Sequence, residues 1–364
     1  MSRLRVVLAP DSFKGSLGAS HVTAALAAGW SRSRPDDQIV ALPLADGGEG
    51  TLDAFERVVP GSTRHEVVVE GPDGRPVTAP WLELPDGTAV VELASSCGLG
   101  LMGAPAPHDA NTRGLGGVIR AAVDAGAERL LVGLGGSAST DGGAGALTAL
   151  GARVIDSLGE PVVPGNRGLS TAARVDLSGL MALPADGVTL LVDVDSPLLG
   201  PTGAAVVFGP QKGASADDVL ALERGLERFA SLLDVDPATP GAGAAGGAGF
   251  GLLAWGARLE PGAVAVADAV RLSDALTGAD VVVTGEGRFD GQTAAGKTVS
   301  VVRRWADGQG VPVVLVAGVV EAPTDGFADV VSTTQLAGDV LESTTRASFW
   351  LEEAAALVAG RWAP

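Results

Sequence analysis

Of 25 Lys and Arg residues, 22 are Arg, and the lysines are Lys14, Lys212 and Lys297. Each adjoins a glycine, in Phe13-Lys14-Gly15, Gln211-Lys212-Gly213 and Gly296-Lys297-Thr298. A compact ammonium beside accessible backbone N–H groups suits phosphate or carboxylate oxygens. Three solvated lysines in ordinary glycine turns are the alternative. Acids recur at comparable places. Asp11 follows one strand-like run, Asp46 and Glu49 a second, Asp193 and Asp195 a third, and Glu286 and Asp290 a fourth. Ligands of open α/β sheets bind outside the carboxyl ends of the strands, so these groups are candidates for one crevice. Carboxylates gathered there would repel a phosphate unless a divalent cation intervened, most naturally Mg²⁺ with its preference for oxygen. Any one of these acids also suits a turn or a helix cap.

Two motifs point toward nucleotides. Gly291 to Thr298 fits G-x-x-x-x-G-K-[ST], the pattern of a phosphate-binding loop. Its context is poor, because Gly285 to Asp290 separate Gly291 from the expected strand end at Thr284, and two of those residues are acidic. Phosphate contact is therefore kept for Lys297 without the loop's usual fold. Gly133-Leu-Gly135-Gly136-Ser137-Ala138 follows a strand and is similar to a dinucleotide fingerprint. Asp141 weighs against it, since its charge would stand where a pyrophosphate belongs. These glycines and Ser137 could instead line a site for nucleotide phosphates or a small polar substrate. His21, His65 and His108 have no spacing for a metal or a nucleophile–base pair and read as structural. Cys97 has no cationic neighbour in sequence and reads as an inert thiol.

The elements that must position these groups are legible as period changes. Short β-branched runs at Leu4–Ala9, Ile39–Leu42, Leu130–Leu134, Leu190–Val194, Val281–Thr284, Val313–Ala317 and Val330–Ser332 neighbour helix-period segments, the pattern of a largely parallel α/β sheet. Helical faces run through Val22, Leu26 and Trp30, through Leu115, Ile119 and Ala122, and through Leu222, Leu226 and Phe229. Ser215 and Asp218 have capping-box spacing before the last of these. His65–Glu70, Val77–Leu84 and Ala89–Leu93 break the alternation. Pro-Asp-Gly turns at Pro72–Gly74 and Pro85–Gly87 predict antiparallel hairpins there. The expected fold is α/β with two domains. A Rossmann- or flavodoxin-like parallel-sheet domain, residues 1–59 and 277–364, is interrupted by a larger inserted α/β domain, residues 60–276. The glycine-dense Gly241–Gly251 lacks the composition of a linker and predicts close backbone approach to a ligand or a helix.

Composition narrows the classes. With 43 acidic residues against 25 basic ones the net charge is −18, and no basic stripe exists, which excludes the usual nucleic-acid binder. One cysteine excludes intrachain disulfides and cysteine-based metal sites. No signal-peptide core or membrane span is visible, so a cytoplasmic protein is expected. A homo-oligomer is compatible with all of this.

Six blocks together resemble the type I glycerate kinases: Ala9-Pro-Asp-Ser-Phe-Lys-Gly-Ser16, Pro43-Leu-Ala-Asp-Gly-Gly-Glu-Gly-Thr51, Leu134-Gly-Gly-Ser-Ala138, Phe208-Gly-Pro-Gln-Lys-Gly-Ala214, Gly241-Ala-Gly-Ala-Ala-Gly-Gly247 and Thr284-Gly-Glu-Gly-Arg-Phe-Asp-Gly-Gln-Thr293. They stand in the family's order. Two stretches depart from it: Ser139-Thr140 replace Thr-Asn before Asp141, and Ser196 replaces Asn before Pro-Leu. The resemblance implies ATP-dependent phosphorylation of glycerate, in this branch usually on the 2-hydroxyl, and a site in the cleft between two domains. Phosphoryl transfer needs alignment and charge stabilisation. On that basis Asp193, then Asp46, is the candidate to position or accept the hydroxyl proton, and Lys14 and Lys212 are candidates for the substrate carboxylate or the transferring group. Ser12, Glu49 and Gln211 complete the substrate set. Gly135, Gly136, Ser137, Lys297 and Thr298 are assigned to nucleotide, and Glu286 and Asp290 to Mg²⁺. A 3-phosphoglycerate-forming kinase, a dinucleotide-dependent oxidoreductase and an organic-acid sensor are the rival functions.

Overall fold

The computed structural model describes residues 3–290 and 298–362. It divides into two compact units: Met1–Asp46 with Asp53–Pro60 and Ala263–Pro364, and Gly47–Leu52 with Gly61–Gly262.

The first unit is built on five parallel strands in the order Asp329–Ser332, Val313–Val320, Val281–Phe289, Arg5–Leu8, Gln38–Ala41. The central strands are near-continuous valine runs because both faces of the sheet are covered. One face packs Val6, Leu8, Val283 and Val316 against Val22, Leu26 and Trp30 of helix Ala19–Ser33 and Leu351 and Val358 of helix Ala347–Arg361. The other packs Leu315 and Ala317 against Val299 of helix Thr298–Gln309. The expected strand Val281–Thr284 is too short. Pairing with Val313–Val320 continues to Phe289, so Glu286 lies inside a strand instead of a loop. Only Asp290 then separates the strand from Gly291, which removes the spacing objection to the phosphate-loop pattern; Gly291 to Lys297 lie outside the described residues.

The second unit carries six strands in the order Arg258–Pro261, Val188–Val192, Arg129–Gly133, Thr88–Glu92, Pro76–Glu83, Thr63–Glu70. The first four are mutually parallel, and the last two join as the antiparallel hairpins expected from the Pro-Asp-Gly turns. Gly74 and Gly87 close those turns at φ 84° and 80°, values glycine adopts without cost. Helices Arg113–Asp124, Ala216–Ala230 and Ala244–Trp255 bury Leu115, Ile119, Leu226, Phe229 and Phe250 in one core with Val91, Val132 and Leu190 from the sheet. The Ser215–Asp218 capping box is formed at the start of Ala216–Ala230. A two-stranded antiparallel ribbon, Arg153–Ile155 with Arg174–Asp176, has no counterpart in the sequence reading. Among the described residues no helix is long and apolar enough to cross a membrane.

Candidate active site

In the first unit the chemistry collects where strand Arg5–Leu8 ends. The Asp11 N–H donates to Gly285 O at 2.9 Å, which extends the inter-strand pairing by a step and buries the Asp11 side chain to 7% exposure. Asp11 Oδ1 accepts from the Ser12 N–H at 2.6 Å, and Oδ2 accepts from the Thr298 hydroxyl at 2.7 Å. Burial, and next the neighbouring Asp46 charge, raise the Asp11 pKa to about 7 against the opposing pull of Thr298, Lys14 and the Ser12 amide. Phe13 and Leu17 exchange backbone hydrogen bonds of 2.8 and 3.0 Å, so Lys14 projects from a tight turn. Its ammonium meets Asp46 Oδ2 at 2.5 Å while the lysine side chain stays 73% exposed and Asp46 only 15%. Lys14 is thus paired with a carboxylate and also acts on the charge of Asp11. Glu286 is buried and Asp290 half-buried. Among the described residues no three His, Cys, Asp or Glu side chains gather into a metal cluster.

In the second unit the loop after strand Arg129–Gly133 is shaped by close approach. A Cβ on Gly133 or Gly135 would strike the backbone of Gly47 or Gly48, and the Gly135 N–H donates to Gly47 O at 3.1 Å. The fingerprint-like glycines therefore admit a neighbouring chain segment. Asp141 accepts from the N–H and hydroxyl of Thr112, both at 2.9 Å, and from the amides of Gly143 and Gly145 at 3.3 and 3.1 Å. The amides a pyrophosphate would need are taken by a buried carboxylate, which argues against the dinucleotide reading.

Lys212, at the end of the short turn Pro210–Lys212, is 1% exposed. Its ammonium donates to Ser137 Oγ at 2.8 Å and Ser139 O at 2.5 Å. Burial lowers its pKa to about 7, opposed by the Asp141 charge. Gly246 makes this possible: it sits at φ 67° in the glycine-dense segment, and a Cβ there would lie 2.9 Å from Lys212 Nζ. The close backbone approach expected of that segment is realised against a lysine and the Ser139 carbonyl. The hydroxyls of Ser139 and Thr140 are buried without a hydrogen-bond partner among the described residues. Asp193 follows strand Val188–Val192, and its Oδ1 accepts from the Gly262 N–H at 3.1 Å.

Of the candidates, Lys14 is brought to Asp46, and Ser137 to Lys212; Thr298 is joined to Asp11, in sequence no more than a strand-end acid. Glu49, Gly136 and Gln211 are exposed, Ser12 and Gly135 half-buried, and Lys297 lies outside the described residues. His65 pairs with Glu83 and stacks on Trp81, and His108 pairs with Asp218, in keeping with structural histidines. Burial pushes the Cys97 thiol up to about 12.

Residues 6–363 match the glycerate kinase family. Over 325 residues the chain is 43% identical to the glycerate kinase of Bacillus subtilis (strain 168), covering 86% of this chain and 85% of that protein. It is 41% identical to the glycerate 2-kinase of Escherichia coli (strain K12) over 325 residues, with the same coverage of 86% and 85%. A solved structure from Salmonella typhimurium LT2 that carries the glycerate kinase 2 name superposes with a TM-score of 0.84 at 38% identity, across 99% of this chain and 98% of the other.

Proposed function

Since this chain belongs to the glycerate kinase family and is a phosphotransferase, we propose that it transfers the γ-phosphoryl group of ATP to the 2-hydroxyl of D-glycerate. The hydroxyl oxygen forms a bond to the γ-phosphorus as the bond to the β–γ bridging oxygen breaks, and ADP and 2-phosphoglycerate leave. The observation that carries this reading is the Lys14–Asp46 pair, an exposed lysine ion-paired with a carboxylate beside the buried Asp11. Such a group is pre-aimed at negative charge that develops during transfer.

In this reading Lys14 meets the transferring group or the glycerate carboxylate, with Ser12, Glu49 and Gln211 lining the substrate. Lys212 supplies positive charge behind Ser137. Asp193 takes the hydroxyl proton, with Asp46 second. Gly135, Gly136, Ser137, Lys297 and Thr298 serve the nucleotide. Glu286, within strand Val281–Phe289, and Asp290, just after it, are oxygen donors that fit Mg²⁺. Mg²⁺ commonly uses one or two carboxylates and completes its shell with phosphates and water, so no larger cluster is needed. When bound, it would neutralise charge on the β- and γ-phosphoryl oxygens. We place the enzyme in the cytoplasm, where a lone buried Cys97 needs no oxidising surroundings. An ADP-release assay with D-glycerate, ATP and Mg²⁺ tests the reading: glycerate-dependent ADP is expected, and ADP that is absent or independent of glycerate would refute it.

A further inference from the structure

The Lys212 ammonium has three N–H bonds and no acceptor, so each of its contacts has a fixed direction. Ser137 Oγ receives one of them at 2.8 Å, and Ser139 O a second at 2.5 Å. A hydroxyl that accepts from an ammonium must turn its own hydrogen away. Ser137 is buried at 9% exposure and follows the exposed Gly136, and among the described residues no hydrogen bond uses its hydroxyl hydrogen.

From this geometry we infer that Lys212 is a positioning residue that fixes the Ser137 hydroxyl as a hydrogen-bond donor to an anionic ligand oxygen, of the glycerate carboxylate or of a nucleotide phosphate. This rests on the kinase reading. A carboxylate or phosphate oxygen satisfies such a donor, whereas a ligand lacking an acceptor there would leave it desolvated and unpaired. The arrangement also accounts for lysine in a chain that otherwise favours arginine. Gly246 leaves room for a compact ammonium, and a planar guanidinium would press on the segment that packs against it.

The surroundings make the device sensitive to pH. Asp141 is the charged group that acts on Lys212, while the neighbouring helices Ala204–Phe208 and Ala244–Trp255 contain no charged residue. Near pH 7 the buried ammonium loses its proton. The neutral amine gains a lone pair that can accept from Ser137, and the hydroxyl hydrogen turns inward, away from the ligand.

Steady-state kinetics of the full-length enzyme between pH 6 and 9, with KM measured separately for D-glycerate and for ATP, test this. In the unsubstituted enzyme the KM of one of the two should rise about tenfold or more as pH passes 7. Ser137→Ala should raise that same KM about 10- to 100-fold at pH 6, the scale of one charge-assisted hydrogen bond, and flatten its pH dependence. The substrate affected identifies the source of the oxygen. Lys212→Met should do the same, and because a buried substitution can fail to fold, Ser137→Ala is the deciding variant. If Ser137→Ala leaves both KM values unchanged at pH 6, or keeps the full pH dependence, the inference is overturned while the kinase reading stands. An unsubstituted enzyme that never phosphorylates glycerate overturns both.

Discussion

The hydroxyl of Thr298 donates to Asp11 Oδ2 at 2.7 Å, across a sequence separation of 287 residues. Both groups are buried, so the bond ties the start of helix Thr298–Gln309 to the loop after the first strand. Removing the hydroxyl takes the Thr298 donor from the desolvated Asp11 Oδ2, at a cost of about 1–3 kcal/mol. Thr298→Val should therefore lower stability by that amount in chemical denaturation, and Thr298→Ser should restore most of it. Equal stability of the Val and Ser variants would show that the hydrogen bond contributes nothing.

Asp11 gives a pH dependence with a definite sign. Its folded-state pKa is raised from 3.8 to about 7, so between those values the native state holds a proton that the unfolded chain has released. The contribution is fully present below pH 3.8 and is lost as pH rises through 7. Asp11→Asn stays neutral throughout. Its melting temperature relative to the unsubstituted protein should climb by a few degrees from pH 4 to pH 8. A relative melting temperature that falls, or stays constant, as pH rises would contradict the burial-driven shift.

The Lys14–Asp46 pair is useful because its energetic and chemical roles separate. With Lys14 73% exposed, the ion pair contributes at most about 1 kcal/mol to folding. Lys14→Met should leave denaturant midpoints almost unchanged and lower kcat by about 10²- to 10³-fold, the effect of removing one group that stabilises transition-state charge. A large stability loss with normal turnover would make Lys14 structural.

Asp193 is proposed as the proton acceptor. Asp193→Asn should reduce kcat by about 10²- to 10⁴-fold and leave the KM for ATP near its original value. Near-normal turnover would move the role to Asp46.

Much of this was legible in the sequence because it followed from local rules. The valine runs gave the parallel strands, Pro-Asp-Gly gave the hairpins, and Ser215 with Asp218 gave a formed cap. The scarcity of lysine pointed to Lys14 and Lys212. What escaped depended on tertiary pairing. The extension to Phe289 comes from register with Val313–Val320, since glycines and charges at 285–288 do not read as a strand. The ribbon Arg153–Ile155 with Arg174–Asp176 is three residues a side, too short for a periodic signal. The burial of Lys212 depends on Ser139 and Gly246, distant in sequence, and no local pattern distinguishes it from the exposed Lys14. Asp11 was visible as a strand-end acid, but its partnership with Thr298 was not.

The most direct test of the account is ³¹P NMR of the product formed from D-glycerate, ATP and Mg²⁺ by the full-length enzyme. A phosphomonoester resonance assigned to 2-phosphoglycerate, growing in step with ADP, is the predicted result. A 3-phosphoglycerate resonance, or ADP and inorganic phosphate without phosphoglycerate, would contradict it.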